Sequence, residues 1–349
     1  MMGAARRHVV CAMSGGVDSA VAALLLRRRG YDVTGVFMNN WDLVDEKGIC
    51  QGNQDCEDAY KVCQILNIPF RQVSYVKEYW NEVFSYLLNE YEVGRTPNPD
   101  IICNKNIKFN YFLHYAMNNI AVKLLQGVDH SKDQTFFLSQ ISQEALQKTI
   151  FPLGDLTKDF VKKIAAEHQL YHSMGLCFVG KRDFSEFLLE YLQPRPGNFV
   201  SIEDGKVLGT HKDKNISSGE VFVAPCRDHP ALYRDLLRTN RVHWIAEEPP
   251  AKLIQNKMME CNFRFQHLMA LVPCTLTLNQ DGSVWLTLAK PIRDLTAGQF
   301  AVFYKGDDCL GSGMILRLGP SVFTLQQGKS RETAGVNIPA DEVTVQPTK

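Results

Sequence analysis

The segment His8-Val-Val-Cys-Ala-Met-Ser-Gly-Gly-Val-Asp-Ser19 constrains the fold more than any other part of the chain. Its first half, Val9–Met13, predicts a short buried strand, and Val17–Arg29 carries apolar residues at helical spacing. The two glycines between them allow backbone amides to approach an anion closely. The helix that follows adds the partial positive charge of its N-terminus. The segment therefore predicts a strand–turn–helix unit that holds a phosphate group.

The polar side chains of this turn suit a nucleoside triphosphate. Ser14 and Ser19 supply hydroxyl donors, and Asp18 supplies a carboxylate for a magnesium ion beside the phosphates. The turn has neither the Gly-Lys-Ser/Thr of a P-loop nor the spacing of a GxGxxG motif. An ordinary strand–turn–helix with a Ser/Gly turn is the structural alternative.

The first hundred residues alternate between strand and helix patterns. Val9–Met13, Asp32–Phe37 and Phe70–Tyr75 read as strands, and helical patterns lie between and after them. This alternation predicts an α/β fold with a doubly wound parallel sheet that binds ligands at the carboxyl ends of its strands. Met38 directly follows the second strand, where an adenine ring would pack; a core methionine explains it equally well.

The pattern changes after Pro194-Arg-Pro-Gly197, which marks a domain boundary. Short alternating segments follow, with the hairpin turns Asp204-Gly205 and Asn279-Gln-Asp-Gly282. They predict a small central domain and then a C-terminal β-barrel. The expected domains are 1–182 for the sheet, 183–242 for the central domain and 243–327 for the barrel, with a polar tail of no assigned structure over 328–349.

Composition excludes several classes of protein. The 349 residues are 45% hydrophobic and 22% charged, and the formal net charge is zero. No apolar run approaches the roughly 20 residues that span a bilayer, so we expect no membrane segment. The ten cysteines include no CxxC pair, which argues against a zinc module or a disulfide scaffold. Any cysteine of functional interest is therefore expected to act through its reactivity.

The segment Arg95-Thr-Pro-Asn-Pro-Asp-Ile-Ile-Cys-Asn104 is the second informative region. Two prolines in three residues forbid a helix there and hold the loop extended, which suits the positioning of a substrate. Asp100 and Cys103 follow at helix-start spacing, and a helix N-terminus makes a thiol a better nucleophile. A buried structural cysteine beside a proline turn is the alternative for Cys103.

A third segment, Ser173-Met-Gly-Leu-Cys-Phe-Val-Gly180, contains Cys177 between apolar residues. A basic Gly-Lys-Arg turn follows it, which predicts a short strand that ends in a basic loop. On these residues alone, a core cysteine is the better interpretation of Cys177.

Together, the SGGVDS, RTPNPDIICN and GLCFVG segments resemble the tRNA-specific 2-thiouridylase family. The glycine turn is similar to the SGGxDS loop of the ATP pyrophosphatase group, whose fold is adenine nucleotide α-hydrolase-like. The loops are most similar to the animal mitochondrial branch, which implies a mitochondrial location; a bacterial-type cytoplasmic location is the alternative. The similarity continues to about residue 325, through Lys132–Leu138, Phe151–Gly154 and Gly298–Tyr304.

The resemblance implies that ATP, with Mg²⁺, adenylates the C2 carbonyl oxygen of a wobble uridine in tRNA. It implies that Cys177 receives sulfur from a persulfide relay protein, that Cys103 forms a transient disulfide with Cys177, and that Asp100 is the acid/base residue. The residues implied to bind ATP are Ala12, Met13, Ser14, Gly15, Gly16, Val17, Asp18, Ser19 and Met38. Those implied to contact the target base are Asn98, Pro99 and Asp100, and those implied to contact the tRNA are Lys132, Asp133, Gln134, Arg264, Phe265 and Gln299.

Three segments of the family are absent from the chain, after Ile120, His172 and Lys214. The first would contain a strand and loop that contact ATP and tRNA, so a true deletion would remove a core strand. Two other functions stay open. A ligase of the argininosuccinate-synthase or amidotransferase type shares the phosphate loop but needs no reactive cysteine pair. A non-catalytic tRNA-binding protein would keep the fold without the reaction.

Overall fold

A computed structural model describes residues 7–42, 51–116, 133–170, 187–188, 190–193, 196–211 and 220–332. The chain divides into two compact units. The first comprises Met1–Ser85 and Asp100–Glu190, and the second comprises Tyr86–Pro99 and Tyr191–Lys349.

The first unit contains a parallel sheet with the strand order β1–β2–β3, formed by β1 (His8–Met13), β2 (Asp32–Asn39) and β3 (Phe70–Ser74). The central strand β2 is buried from Val33 to Phe37, as expected for a strand with neighbours on both sides. The parallel sheet confirms the predicted α/β fold. The prediction that β1 is wholly buried is wrong, since Ala12 is exposed. Among the described strands, β1 pairs only with β2.

Helices cover the sheet of the first unit. The α1 and α2 helices and the α9 helix pack into one apolar core with the strands, using Ala20, Leu24, Val62, Val161 and Ile164. The helices are α1 (Val17–Arg28), α2 (Gln51–Ile65), α3 (Val76–Tyr79), α4 (Ser85–Glu92), α5 (Pro99–Cys103), α6 (Phe112–Ala116), α7 (Thr135–Leu138), α8 (Gln143–Gln147) and α9 (Lys158–Glu167), with π-helical turns over Trp80–Phe84 and Asn104–Tyr111. Helices α4 and α5 cross the boundaries between the units.

The second unit contains a small sheet and a closed barrel. The small sheet has the order β5–β4–β6, and its antiparallel β4–β5 pair turns at Asp204-Gly205 as predicted. The barrel runs β12–β9–β10–β11–β7–β13 and closes through the pairing of β12 with β13. The elements are β4 (Gly197–Ser201), β5 (Val207–His211), β6 (Glu220–Val223), β7 (Tyr233–Arg241), β8 (His243–Trp244), β9 (Met258–Arg264), β10 (Val272–Leu278), β11 (Ser283–Arg293), β12 (Phe300–Lys305), β13 (Asp308–Leu318), α10 (Ala251–Asn256) and α11 (Val322–Glu332).

The barrel confirms the predicted C-terminal fold, and its interior is apolar. Leu237, Phe263, Leu286 and Phe303 are fully buried in it. Strand β7 pairs with both β11 and β13, so the barrel starts before the predicted boundary at residue 243. Helix α11 extends to Glu332, into the segment that was predicted to have no assigned structure.

The close packing of Gly311 in β13 against β8 can be tested by mutation. Its φ is +144°, and a Cβ atom there would lie 2.0 Å from the carbonyl oxygen of His243. We expect Gly311→Ala to lower the free energy of unfolding by about 3 kcal/mol or more, because backbone would have to move. Gly306→Ala is the matched control: its φ is +59°, nothing lies within 4 Å, and only backbone strain of about 1 kcal/mol is expected. Urea denaturation measures both; equal losses would contradict the steric argument.

Candidate active site

The phosphate loop forms the sharp turn between β1 and α1. Gly15 has a φ of +79°, and a Cβ atom on it would lie 2.6 Å from the backbone oxygen of Asp55. Only glycine fits both the conformation and the space. Gly16 is the N-cap residue of α1, so the first amides of that helix receive no cap from it. The turn thus brings a glycine-rich backbone to the N-terminus of a twelve-residue helix.

Two serines hold this loop in shape. The Ser19 hydroxyl donates to the Gly16 carbonyl over 3.0 Å and accepts from the Ser14 amide over 3.2 Å. The Ser14 hydroxyl accepts from the Gly16 amide over 3.3 Å and lies 3.2 Å from the Ser19 hydroxyl. These serines were predicted as donors to a phosphate, and their visible contacts organise the loop itself. A loop ordered in advance loses less entropy when it binds an anion.

Lys158 is a candidate site residue that sequence reasoning missed. Its ammonium forms an ion pair with the Asp18 carboxylate, which brings the first residues of α1 and α9 together. The Lys158 side chain is 17% exposed and that of Asp18 is 57% exposed. A lysine at the start of a helix opposes the helix dipole, which usually favours acids there. A lysine directly after the N-cap Thr157 was therefore the feature of the sequence that could have indicated a role for Lys158.

Met38 and Ala12 lie on neighbouring parallel strands near the phosphate loop. Met38 is half-buried near the carboxyl end of β2, and Ala12 is exposed near the end of β1. Ligands bind at this edge in open α/β sheets. The position of Met38 is compatible with adenine packing, which stays a prediction.

Asp100 and Gln134 line one cavity of about 450 Å³ in the first unit. Asp100 is exposed in the first turn of α5, and Gln134 is exposed directly before α7. The Asn104 amide donates to the Phe137 carbonyl over 3.0 Å and so ties the two helical segments together. The full lining is Asp100, Asn104, Lys108, Phe109, Gln134, Phe137, Leu138 and Phe151.

Cys103 is buried one helical turn after Asp100. It is the fifth residue of α5, close to the N-terminus of that helix as the spacing predicted, and its reactivity stays a prediction. Its neighbour Lys105 donates to the Gln140 side chain over 3.2 Å, and burial lowers the Lys105 pKa. Cys177 lies outside the described residues, as do the chain positions after Ile120, His172 and Lys214 where segments were expected.

Of the tRNA-contact residues predicted before α7, Asp133 and Gln134 have different environments. Asp133 is buried, and its carboxylate accepts from the Thr135 amide over 3.1 Å and from the Thr135 hydroxyl over 2.7 Å. The Asp133 carboxylate thus shapes the start of α7, and its contact with tRNA stays a prediction. Gln134 faces the cavity. Lys132 is outside the described residues.

Three barrel residues were predicted to contact tRNA, and the side chains of two of them, Arg264 and Phe265, are buried. Arg264 is 6% exposed; its guanidinium donates to the Tyr304 hydroxyl and the His267 carbonyl, both over 3.1 Å, and covers the Tyr304 ring. Phe265 is 2% exposed and belongs to the barrel core. Both side chains are therefore held within the barrel in this structure, and their contacts with tRNA stay predictions. The half-buried Gln299 donates to the Thr96 carbonyl over 2.9 Å.

Two family models match the chain. Residues 7–181 match the tRNA methyl transferase HUP domain, and residues 234–315 match the aminomethyltransferase beta-barrel domain. The first match covers the phosphate loop and Asp100, and the second covers most of the barrel strands.

Curated relatives match nearly the whole chain. Mitochondrial tRNA-specific 2-thiouridylase 1 of Gallus gallus is 63% identical over 94% of this chain and 96% of its own length. The Homo sapiens protein of the same name is 60% identical over 97% of each chain. The tRNA-specific 2-thiouridylase MnmA of Enterococcus faecalis is 39% identical over 89% of this chain and 96% of its own length.

The alignment to the Gallus gallus relative also shows that this chain lacks residues at internal positions of the alignment. It runs over 407 positions, whereas this chain has 349 residues, so at least 58 positions of the alignment have no residue here. This agrees with the prediction that internal family segments are absent.

Arg264 provides a test of its structural assignment. Arg264→Ala removes two hydrogen bonds and a cation–π contact in the barrel, and we expect the free energy of unfolding to fall by about 2–3 kcal/mol. Arg317→Ala, on exposed β13 surface, is the control and should change it by less than about 0.5 kcal/mol. Chemical denaturation of both variants measures the difference. An Arg264→Ala protein as stable as the control would contradict a structural role for the Arg264 side chain.

Proposed function

This chain belongs to the tRNA-specific 2-thiouridylase family, sulfurtransferases that act on tRNA, and we propose that it replaces the C2 oxygen of the wobble uridine with sulfur in an ATP-dependent reaction. The observation that supports this most strongly is the 63% identity to a named 2-thiouridylase across 94% of the chain. The phosphate loop and the cavity beside Asp100 supply sites for the two substrates within one compact unit.

We assign the ATP phosphates to the loop between β1 and α1. A urea-like carbonyl is a poor electrophile, so its oxygen must first become a good leaving group, which adenylation provides. Charge then develops on the departing pyrophosphate. The Gly15 backbone amide and the Lys158 ammonium are suited to stabilise that charge, and the Gly16 amide can join them by leaving the Ser14 hydroxyl. Lys158 has only to exchange its Asp18 partner for a phosphate oxygen.

A magnesium ion fits this site if the protein and the nucleotide both supply its ligands. Asp18 offers one exposed carboxylate beside the loop, and the described residues contain no cluster of three or more candidate metal ligands. Mg²⁺ commonly takes one or two carboxylates and completes its shell with phosphate oxygens and water. When bound, it would neutralise phosphate charge next to Asp18.

We assign the target base to the cavity beside Asp100. A base in an anticodon stack must be extruded before an enzyme can reach it, and splayed bases are commonly held by aromatic stacking and hydrogen bonds. The lining offers aromatic faces on Phe137 and Phe151, the Gln134 amide, and the Asp100 carboxylate as the group that takes or gives a proton. Asn98 and Pro99 precede Asp100 directly and are proposed to shape its approach to the base.

Sulfur transfer is proposed to pass through Cys177 and Cys103. A persulfide relay protein would load the terminal sulfur onto Cys177. That sulfur attacks C2 of the adenylated uridine, and AMP leaves with the former C2 oxygen. The Cys103 thiolate then attacks the Sγ atom of Cys177, which breaks the sulfur–sulfur bond, leaves the sulfur on C2 and forms a Cys103–Cys177 disulfide. A reductant restores both thiols for the next turnover.

The relatives named above support a mitochondrial location for this chain. Across the part of the chain that the structure describes, no helix combines the length and apolarity required to cross a bilayer.

A non-catalytic tRNA-binding role is the second candidate, because at least 58 aligned positions of a relative have no residue here. Mass spectrometry of tRNA nucleosides, after incubation with ATP, magnesium and a persulfide donor, separates the two. Formation of 2-thiouridine supports the enzyme. Tight tRNA binding without 2-thiouridine or pyrophosphate release supports the binding protein. Formation of an ATP-dependent ligation product that is unaffected by loss of both cysteines supports the ligase alternative.

The phosphate assignment predicts a specific loss when Lys158 or Asp18 is changed. We expect Lys158→Met and Asp18→Ala to slow tRNA-dependent pyrophosphate release by about 100-fold, because both act on the phosphates. Binding of tRNA should change little, since it depends on backbone charge contacts elsewhere. Lys162→Met, an exposed lysine on the same helix, is the control. A parallel fall in tRNA affinity would identify Lys158 and Asp18 as folding residues.

The sulfur path predicts different defects for the two cysteines. Cys177→Ser should abolish 2-thiouridine formation yet keep measurable pyrophosphate release, because the sulfur carrier acts after activation. Cys103→Ser should fail in multiple turnover, since the resolving thiol is lost. Quantified 2-thiouridine and pyrophosphate report the two steps separately. Sustained turnover of Cys103→Ser would remove Cys103 from the mechanism.

A further inference from the structure

Two cysteines face each other in the interior of the barrel. Cys261 on β9 and Cys274 on β10 occupy directly opposite positions of the antiparallel pair, and their Sγ atoms lie 3.6 Å apart. Both are free thiols in the apolar core, with 9% and 5% of their surfaces exposed. They belong to the second unit and have no part in the sulfur path proposed for Cys103 and Cys177.

The backbone holds these two cysteines at a separation that suits a disulfide. Residues directly opposite each other in an antiparallel pair have Cα atoms about 4.5 or 5.5 Å apart, depending on the hydrogen-bonding pattern. Disulfides span Cα separations of roughly 4.4–6.8 Å. Bond formation therefore requires the Sγ atoms to close from 3.6 Å to about 2.05 Å, mainly by rotation of the side chains.

The contact between the sulfur atoms also keeps the resting pair protonated. The hydrogen bond with the Cys261 thiol, followed by burial, raises the Cys274 pKa. Because the thiolate is the reactive form of cysteine, the closed barrel protects the pair from oxidants that attack exposed thiols. Oxidation therefore requires a transient opening of the strands that exposes one of the two sulfur atoms.

The start of β10 provides a place for such an opening. Val272 and Pro273 align with β9, whereas β11 aligns with β10 from Cys274 onward. Proline has no amide hydrogen, so Pro273 cannot donate to a neighbouring strand. Pro273 is exposed, and the connection before it includes Leu268, of which 76% is exposed. A segment with few hydrogen bonds and exposed surroundings opens at a lower free energy than a core strand.

We propose that Cys261 and Cys274 form an oxidative modification site, at which a hydroperoxide converts the pair to a cross-strand disulfide. One thiol loses its proton, and the thiolate attacks an oxygen of hydrogen peroxide to give a sulfenic acid and hydroxide, which that proton neutralises. The second thiol attacks the sulfenic sulfur, forms the sulfur–sulfur bond and releases water. In total the two thiols lose two electrons and two protons, and hydrogen peroxide becomes two molecules of water.

The disulfide would change the mechanical properties of the barrel. It encloses the twelve residues 262–273, which include the whole connection between β9 and β10. A bond of this kind joins neighbouring strands and reduces the number of conformations open to the unfolded chain. The oxidised barrel is therefore expected to resist unfolding more than the reduced barrel, and a thiol reductant is expected to reverse the change.

The first test maps the bond in the full chain. Wild-type protein is treated with hydrogen peroxide, its remaining thiols are alkylated in denaturant, and its tryptic peptides are analysed by mass spectrometry without reduction. Trypsin cuts after Arg264, so the two cysteines lie on separate peptides. We expect the Cys261–Cys274 crosslink to be at least about tenfold more abundant than any crosslink to the exposed Cys226, because proximity outweighs accessibility when the second thiol attacks.

Three results of this mapping would overturn the proposal. The first is a dominant crosslink to Cys226. The second is oxidation of Cys261 or Cys274 without the crosslink between them. The third is oxidation of other cysteines while both barrel thiols are recovered in alkylated form, which would identify the pair as small apolar residues of the core.

The second test measures the effect of the bond on the barrel. Urea denaturation compares peroxide-treated wild type before and after addition of dithiothreitol, and we expect the midpoint to fall by about 0.5 M or more on reduction. Cys274→Ala is the matched control, because it keeps Cys103, Cys177 and every methionine, and its midpoint should fall by less. A wild-type midpoint that falls no further than that of Cys274→Ala contradicts the proposed effect on unfolding.

Discussion

The close approach of the Gly15 turn to the Asp55 backbone is the constraint on which the first unit depends. It requires a residue without a side chain and with positive φ, and it lets α2 pack against the start of α1. Because the same turn exposes the first amides of α1, the packing requirement and the capacity to bind phosphate have one structural origin. Lys158 adds a cation from α9 at the same point. The site is therefore a product of how three helices meet one turn.

Within the part of the chain that the structure describes, the edge of β1 opposite β2 bears on the shortened chain. In doubly wound sheets, the strand before the phosphate loop is normally buried on both sides. Here, among the described strands, β1 has one neighbour and Ala12 is exposed. The family resemblance predicts a missing strand after Ile120, and the alignment to a relative contains at least 58 positions without a residue of this chain. The resemblance thus predicts that one of the absent segments belongs at the sheet edge that carries the nucleotide loop.

Features that depend on residues close together in the sequence could be predicted, whereas contacts between distant residues could not. The Asp-Gly turns specify their hairpins locally, and the alternation of strand and helix patterns specifies the parallel sheet. The burial of Arg264 was not predicted, because its partner Tyr304 lies forty residues away on another strand. The burial of Asp133 was not predicted either, because an acidic residue next to a basic one is typical of a surface. Its carboxylate accepts two hydrogen bonds from Thr135. Buried polar contacts of this kind leave little trace in a single sequence.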